Sequence, residues 1–330
     1  MKRTTLCVIF GGKSSEYEVS LRSAFGVLCN LDYEKYEVIR VGVTKKGEWY
    51  IFEGENERIL NDTWQGDGCV PVTFDLTSGS LLALGKDVYA IDVDVFFPIM
   101  HGELVEDGRL QGLFDVCGAK YVGCNSFASH ICMDKYLAKR VAQSLGICVA
   151  REYTESCEIV YPVFVKPRMC GSSIGVSRVE GKEELPAALE KAKSYGGGVI
   201  IEEEIKGGEV EIGVLEVGGE LVISPGGTVK HGGKFYGYEE KYHSENNRYI
   251  IPAPIGEEQA KYLQECAKKL FFALGCRGLA RFDFFVCEDG RVVFNEVNTM
   301  PGFTSVSMYP MLMKAAGVTY REIIDCLAGN

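Results

Sequence analysis

Apolar and polar positions alternate in two different periods along the chain, and the switch between them marks the elements. Thr4–Phe10 is a β-branched and apolar run that ends on Gly11-Gly12. Val19, Leu21, Phe25, Val27 and Leu28 then recur at helical spacing, with Ser15 and Glu18 placed as a capping box before them. Strand-like runs follow at Tyr36–Thr44 and Glu48–Phe52. The segment 53–87 is polar and shows no clear period, and a buried strand at Val93–Met100 delivers His101-Gly102-Glu103 to its carboxyl end. Leu110–Cys117 reads as a helix, Tyr121-Val122 as a closing strand, and Ser126–Ser144 as one helix. Further on, strands are expected at Tyr161–Lys166, Gly198–Ile205, Glu209–Val217 and Glu220–Ile223, and helices at Lys182–Ser194, Ile255–Leu274 and Thr304–Ala316. Late in the chain, GLARFDFFV and RVVFNEV flank the turn Glu288–Gly290 and read as a hairpin.

That hairpin carries the most informative polar residues. Side chains two apart on a strand share a face, so Arg281 pairs with Asp283 and Glu296 with Asn298. Carboxylates on apolar strands are costly to bury without a cation. Two carboxylates and an amide oxygen suit Mg²⁺ bridging a polyphosphate, since Mg²⁺ completes its octahedron with phosphate oxygens and water. Taken alone, the same four residues fit a surface hairpin laced by ion pairs equally well.

Other segments add chemistry. Strand, Gly11-Gly12 and helix start form an anion-friendly mouth, but GGKSSE is not G-x-G-x-x-G, so a dinucleotide fingerprint is missing. Glu16 at that mouth is placed for a ligand ammonium or, more blandly, for the helix dipole. Lys166 at a strand end precedes the small-residue loop Cys170–Gly175, an order that excludes a Walker loop but still suits phosphate. Three acids close the strand at Ile201–Glu204. The segment 228–247 is rich in Gly, Tyr and Lys without periodicity, as expected for a lid.

Composition narrows the class. A 330-residue chain with 46% hydrophobic residues can bury the cores of two or three domains. A formal net charge of −11 and the lack of a basic run argue against nucleic acid as partner. Thirteen Cys without C-x-x-C read as reduced thiols of a cytoplasmic protein, and apolar runs too short for a bilayer argue against membrane insertion.

Six segments, VIFGGKSSEYEVSLRSA, FPIMHGELVEDGRLQG, MDK, VFVKPRMCGSSIGV, FYGYEEKY and FNEVNTMPGFTSVSMYP, occur in the order found in the D-alanine–D-alanine ligase family of ATP-grasp enzymes. The chain resembles that family from its first strand to its last helix, and is similar overall to the vancomycin-resistance D-alanine–D-serine branch. The resemblance implies an α/β chain, α+β in its C-terminal part. Its parts would be an N-terminal Rossmann-like α/β domain (1–123), a central ATP-grasp subdomain (124–202) and a C-terminal ATP-grasp domain (203–330) with lid 228–247. It implies ATP as substrate, two Mg²⁺ or Mn²⁺ ions, room for a monovalent cation, D-alanine as both amino acids with some use of D-serine, and a homodimer.

By motif, the resemblance assigns Lys135 and Lys166 to phosphates, Glu202 and the backbone near Ile205 to adenine, and Glu209 to ribose. Asp283, Glu296 and Asn298 would hold metal. Arg281 and the Gly302 N–H would stabilise an oxyanion, and Lys241 would meet the transferred phosphate. Glu16 would take the first ammonium, with Ser172 and Tyr242 joining it in a latch, and Ser307 the second carboxylate. His101 would be a first-site residue. Val105 departs from the family's usual glycine before Glu106-Asp107-Gly108, and Cys170 from its usual small or acidic residue. Tyr242 argues against ester synthesis with D-lactate. Tyr236 and Met308 stand where D-serine ligases tend to carry Phe and Arg, so D-alanine is the expected second substrate, with D-alanine–D-serine ligation as the alternative. Another ATP-grasp carboxylate–amine ligase and a silent nucleotide-binding protein are more distant readings.

Overall fold

A computed structural model describes residues 2–66, 68–154, 157–230, 248–304 and 306–329. The first layer is built from β1 (Thr4–Gly11), α1 (Tyr17–Asn30), β2 (Tyr36–Val43), β3 (Trp49–Ile51), α2 (Asn56–Leu60), β4 (Val70–Phe74), β5 (Leu81–Leu84), β6 (Val88–Ile91), β7 (Val95–Ile99) and α3 (Arg109–Cys117). Its seven-stranded sheet runs β6-β5-β4-β3-β2-β1-β7, parallel across β2-β1-β7 and antiparallel from β2 outward through β6. Strand β1 is buried on both faces, which is why it reads as a continuous apolar run. Leu6, Val8 and Phe10 enter one core with α1, whereas Cys7 and Ile9 enter another with Phe114. The polar stretch 53–87 holds α2, β4 and β5, an antiparallel extension whose short elements carry too few periodic positions to be read. Tyr121 contributes an isolated bridge to Phe96 and no strand.

Two expectations about helices are corrected. The run 126–144 is not one helix but α4 (Ser126–Met133) and α5 (Lys135–Ser144), broken at Asp134. Asp134 takes ψ 100° and its carboxylate accepts the N–H groups of Tyr136 and Leu137. It thus stops one helix and caps the next. The helix start expected at Ser15 shifts by one residue: α1 begins at Tyr17, Glu16 holds the N-cap position without a side-chain cap, and Ser14 Oγ accepts the Glu16 N–H at 3.0 Å.

A second sheet, β10-β9-β11-β8, is made by β8 (Glu152–Tyr153), β9 (Val163–Pro167), β10 (Ser177–Val179) and β11 (Val199–Glu203), with α6 (Leu185–Lys193) packed on it. The third contains β12 (Gly207–Val217) and β13 (Glu220–Ile223). Then come β14 (Thr228–Lys230) and β15 (Arg248–Ile250), a two-stranded pair, and α7 (Glu257–Ala273). The hairpin is β16 (Leu279–Cys287) and β17 (Val292–Asn298), and the third sheet runs β13-β12-β16-β17. Helices α8 (Met308–Ala315) and α9 (Tyr320–Gly329) close the chain. Helix α8 starts later than its apolar pattern suggests because Thr304 and Ser307 form a turn, Ser307 N–H donating to Thr304 O at 3.1 Å.

The hairpin's register fixes the site. Ala280, Phe282 and Phe284 enter the core shared with α7, leaving Arg281 and Asp283 on the other face. Each buried Phe contributes about 2–3 kcal/mol, so a one-residue slip that exchanged the faces would forfeit most of it. Arg281 lies opposite Asn298 and Asp283 opposite Glu296, but Phe284 lies opposite Phe294. Asn295 is therefore a bulge residue. It allows Phe294 to face the core while Glu296, only two positions later, faces the site.

Candidate active site

Three carboxylates lie in a row across neighbouring strands. Glu211 on β12 is opposite Asp283 on β16, which is opposite Glu296 on β17. Arg281 grips Asp283 through two bonds of 2.8 Å, and its Nε lies 2.7 Å from Glu211. Asp283 is 1% exposed, so the guanidinium supplies the counter-charge that its burial requires. Lys135, the first residue of α5, reaches across to Glu296 at 2.9 Å and donates to Cys170 O at 2.7 Å. The break at Asp134 is what points it there.

The row separates two cavities. The first, of about 550 Å³, is lined by Glu16, His101, Ser172, Arg281, Asn298, Gly302, Ser307 and Met308. Glu16 is buried and accepts the Ser172 hydroxyl at 2.6 Å, across 156 residues of sequence. Ser172 and Ser173 hold φ of 52° and 57°, a left-handed backbone that costs side-chain-bearing residues about 1 kcal/mol each and bends the loop toward Glu16. His101 is buried between Ser23 Oγ at 3.0 Å and Met300 O at 3.1 Å. Burial works against its charge, but Glu106 and Glu16 outweigh that and raise its pKa. Burial, joined by the charge of Glu16, raises the Glu106 carboxyl, although His101 works the other way. Gly302 sits under Ser307, whose Oγ would lie 2.8 Å from any added Cβ.

The second cavity, of about 810 Å³, lies within the range of small-ligand sites and is lined by Lys135, Lys166, Glu202, Ile205, Glu209 and the backbone of β11–β12. Glu202 is 2% exposed and shared by two ammonium groups: Lys166 at 2.8 Å on Oε2, and Lys139 on Oε1. Burial would raise the Glu202 pKa, yet the two lysines hold it down at about 2. Lys166 ends above its ordinary value because Glu202, Glu296 and Glu209 outweigh burial. Lys139 is pulled down to about 8, chiefly by burial.

All described members of the expected set therefore line one of two adjoining cavities or, for Asp283, lie directly behind Arg281. Tyr236, Lys241 and Tyr242 fall outside the described residues. Sequence reasoning missed Lys139, Glu211 and Glu106. Lys139 follows Lys135 at helical i+4 spacing, and Glu211 follows Glu209 at strand i+2 spacing, so both had a usable signal.

Paired lysines, a carboxylate row and a cavity between two antiparallel sheets, with a second cavity against the first layer, are the arrangement of an ATP-grasp ligase. The chain belongs to the D-alanine–D-alanine ligase family: models described as "D-ala D-ala ligase N-terminus" and "D-ala D-ala ligase C-terminus" match residues 5–124 and 141–328. It is 40% identical to the D-alanine–D-alanine ligase of Caldicellulosiruptor bescii, over 99% of this chain and 94% of that one. It is 41% identical to a putative D-alanine–D-lactate ligase of Streptomyces coelicolor, over 98% and 96%. Among solved structures, the VanG D-Ala:D-Ser ligase of Enterococcus faecalis superposes with a TM-score of 0.91 at 39% identity, over 99% of both chains. These relatives differ in their second substrate, so likeness alone does not choose one.

Proposed function

We propose that the chain joins two D-alanines at the expense of ATP, with the nucleotide in the second cavity and the amino acids in the first. The observation that carries this reading is the carboxylate row with Arg281 and Lys135 at the boundary of the two cavities. A phosphate transferred from one side would there meet a carboxylate presented from the other.

Glu16 would bind the first ammonium and Ser172 would hold Glu16 in place. That orients the first carboxylate toward the γ-phosphate, and the resulting acyl phosphate turns a poor leaving group into a good one. The second amine then attacks the carbonyl. Arg281 and the Gly302 N–H would stabilise the oxyanion that develops, with Ser307 holding the second carboxylate. Lys135 and Lys166 would grip the phosphates, Glu202, Ile205 and Glu209 the nucleoside. A lid carrying Lys241 and Tyr242 would exclude water from the acyl phosphate.

Two carboxylates and an amide oxygen on adjacent strands, Glu296 and Asn298 on the wall of the first cavity and Asp283 behind Arg281, are a donor set that fits Mg²⁺ (or Mn²⁺). No group of three His, Cys, Asp or Glu suited to a metal occurs among the described residues, so an ion here would need further ligands from phosphate and water. Asp283, Glu296 and Asn298 would hold it, and when bound it would neutralise phosphate charge during transfer. A cytoplasmic homodimer divided at about residues 123 and 202 belongs to the same reading. No helix among the described residues is long and apolar enough to cross a membrane.

Met308, buried at the start of α8, lines the amino-acid cavity and leaves an apolar wall. Such a wall suits a methyl and rejects an added hydroxyl only weakly. The likeness to VanG favours D-serine as a second reading. Phosphate release from ATP with D-alanine, followed by competition among D-alanine, D-serine and D-lactate at equal concentration, tests both. D-Alanine is expected to dominate with some D-serine product. Absence of ADP formation would overturn the ligase, and a D-serine preference would overturn the specificity.

A further inference from the structure

Lys139 has no assigned part, yet it lies on the wall of the cavity proposed for the nucleotide, buried and in contact with Glu202. We propose that Lys139 is a positioning residue for nucleotide binding: it holds Glu202 as an ionised, oriented acceptor so that Lys166 is free to leave Glu202 for the phosphates. The inference rests on the reading above, in which the nucleotide occupies the second cavity.

The geometry separates the two lysines. Each takes a different oxygen of one carboxylate, Lys139 on Oε1 and Lys166 on Oε2. Lys166 lies on β9 within the fields of Glu209 and Glu296 as well, so its ammonium has other charges to move toward. Lys139 lies one helical turn beyond Lys135, and Glu202 is the carboxylate it feels. If Lys166 moved onto a phosphate with no Lys139 present, Glu202 would remain buried with no counter-charge, which is strongly unfavourable. With Lys139 in place, Oε1 stays neutralised and Oε2 becomes an acceptor aimed into the cavity. An exocyclic amino group is the ligand chemistry that such an oxygen recognises. A ring carbonyl in the same position would be repelled. Lys139 thus couples two functions that the sequence separates by many residues: base selection at Glu202 and phosphate grip at Lys166.

The test uses ADP and inosine diphosphate binding by calorimetry without magnesium, on the full chain and on Lys139→Met, Lys139→Arg, Glu202→Gln and the double variant Lys139→Met/Glu202→Gln. A hydrogen bond to a charged group is at stake, so Lys139→Met should weaken ADP about tenfold to a hundredfold and erase the preference for ADP over inosine diphosphate. Lys139→Arg should restore most of the affinity. The double variant should bind ADP better than Lys139→Met, because no uncompensated carboxylate remains. Unchanged ADP affinity in Lys139→Met, losses that simply add in the double variant, or a parent that binds no ADP would each overturn the proposal. Lys139→Arg failing along with Lys139→Met while Lys139→Arg melts at the parent's temperature would overturn it too. A parent that shows the expected binding pattern but forms no product with D-alanine would instead defeat the ligase reading and leave this inference standing.

Discussion

The Lys139–Glu202 pair can be weighed as a stability device, and the arithmetic says that it is a poor one. Glu202 titrates at about 2 in the folded chain against an ordinary 4.5. At about 1.4 kcal/mol per tenfold, that is about 3 kcal/mol of stabilisation at neutral pH. The folded value lies below the unfolded one, so this contribution is complete above about pH 5 and is lost as pH falls toward 2. Lys139 titrates at about 8 against an ordinary 10.5. Its folded form binds fewer protons than its unfolded form between those values, so it costs about 3 kcal/mol below pH 8 and the cost is relieved as pH climbs to about 10.5. The two terms nearly cancel at neutral pH, as is common for buried ion pairs.

A double-mutant cycle reads this directly. Urea unfolding near pH 7 should show Glu202→Gln losing about 3–5 kcal/mol, since it strands buried Lys139, and Lys139→Met losing less, since Lys166 still neutralises Glu202. The double variant should lie within about 1 kcal/mol of the parent, because Lys166 keeps the fields of Glu209 and Glu296. Moving the parent from pH 7 to about pH 3 should cost about 2 kcal/mol that Glu202→Gln does not lose. Additive single losses, or an equal acid response in parent and Glu202→Gln, would refute the reasoning.

Three further outcomes follow from the site. Ser172→Gly removes a hydroxyl that Glu16 accepts but also relieves a left-handed backbone, so the melting temperature should hold or rise by the equivalent of about 0.5–1 kcal/mol while phosphate release falls at least about tenfold. A variant that loses both together would show that the loop is structural only. Asn298→Ala should slow phosphate release and raise the magnesium concentration for half-maximal rate about 10–100-fold, and a parent-like magnesium curve would remove Asn298 from the metal set. Tyr236→Phe with Met308→Arg should shift product in a mixed assay toward D-alanyl-D-serine. An unchanged ratio would remove these positions from the second-substrate site.

What the sequence disclosed, and what it hid, follows from the length over which each signal acts. The late hairpin was legible because nine and seven strand residues flank a Gly-containing turn, and its facing followed from period two. The bulge at Asn295 was not legible, since it depends on how Phe294 and Phe284 meet across the strands. Asp134 hid a helix break inside an unbroken apolar pattern because one side chain can cap without disturbing periodicity. The contact between Glu16 and Ser172 came from the family resemblance alone, as no local pattern links residues so far apart. The final helix α9 also went unread, though Ile323, Ile324, Leu327 and Ala328 are all buried against the first layer.

The charge arrangement also explains how a chain with net charge −11 can attract a polyphosphate. Its acids are in surplus, yet along the carboxylate row and at Glu202 each carboxylate has a cation: Asp283 and Glu211 with Arg281, Glu296 with Lys135, Glu202 with Lys139 and Lys166. On the proposed reading Arg281, Lys135 and Lys166 would also meet an oxyanion or a phosphate, while Lys139 stays on Glu202. Binding would then be an exchange of partners, in which a cation moves from a carboxylate to a phosphate and the carboxylate acquires a metal ion or a substrate donor. Affinity then depends on the difference between two similar electrostatic energies, while the full desolvation cost has already been met in folding. Replacing a carboxylate by its amide should consequently free its cation and tighten Mg²⁺-free nucleotide binding even as phosphate transfer is lost. Glu296→Gln, which releases Lys135, is the variant in which that opposition should be plainest: ADP affinity without magnesium rises, phosphate release collapses, and a parallel fall in both would show that Lys135 never leaves Glu296.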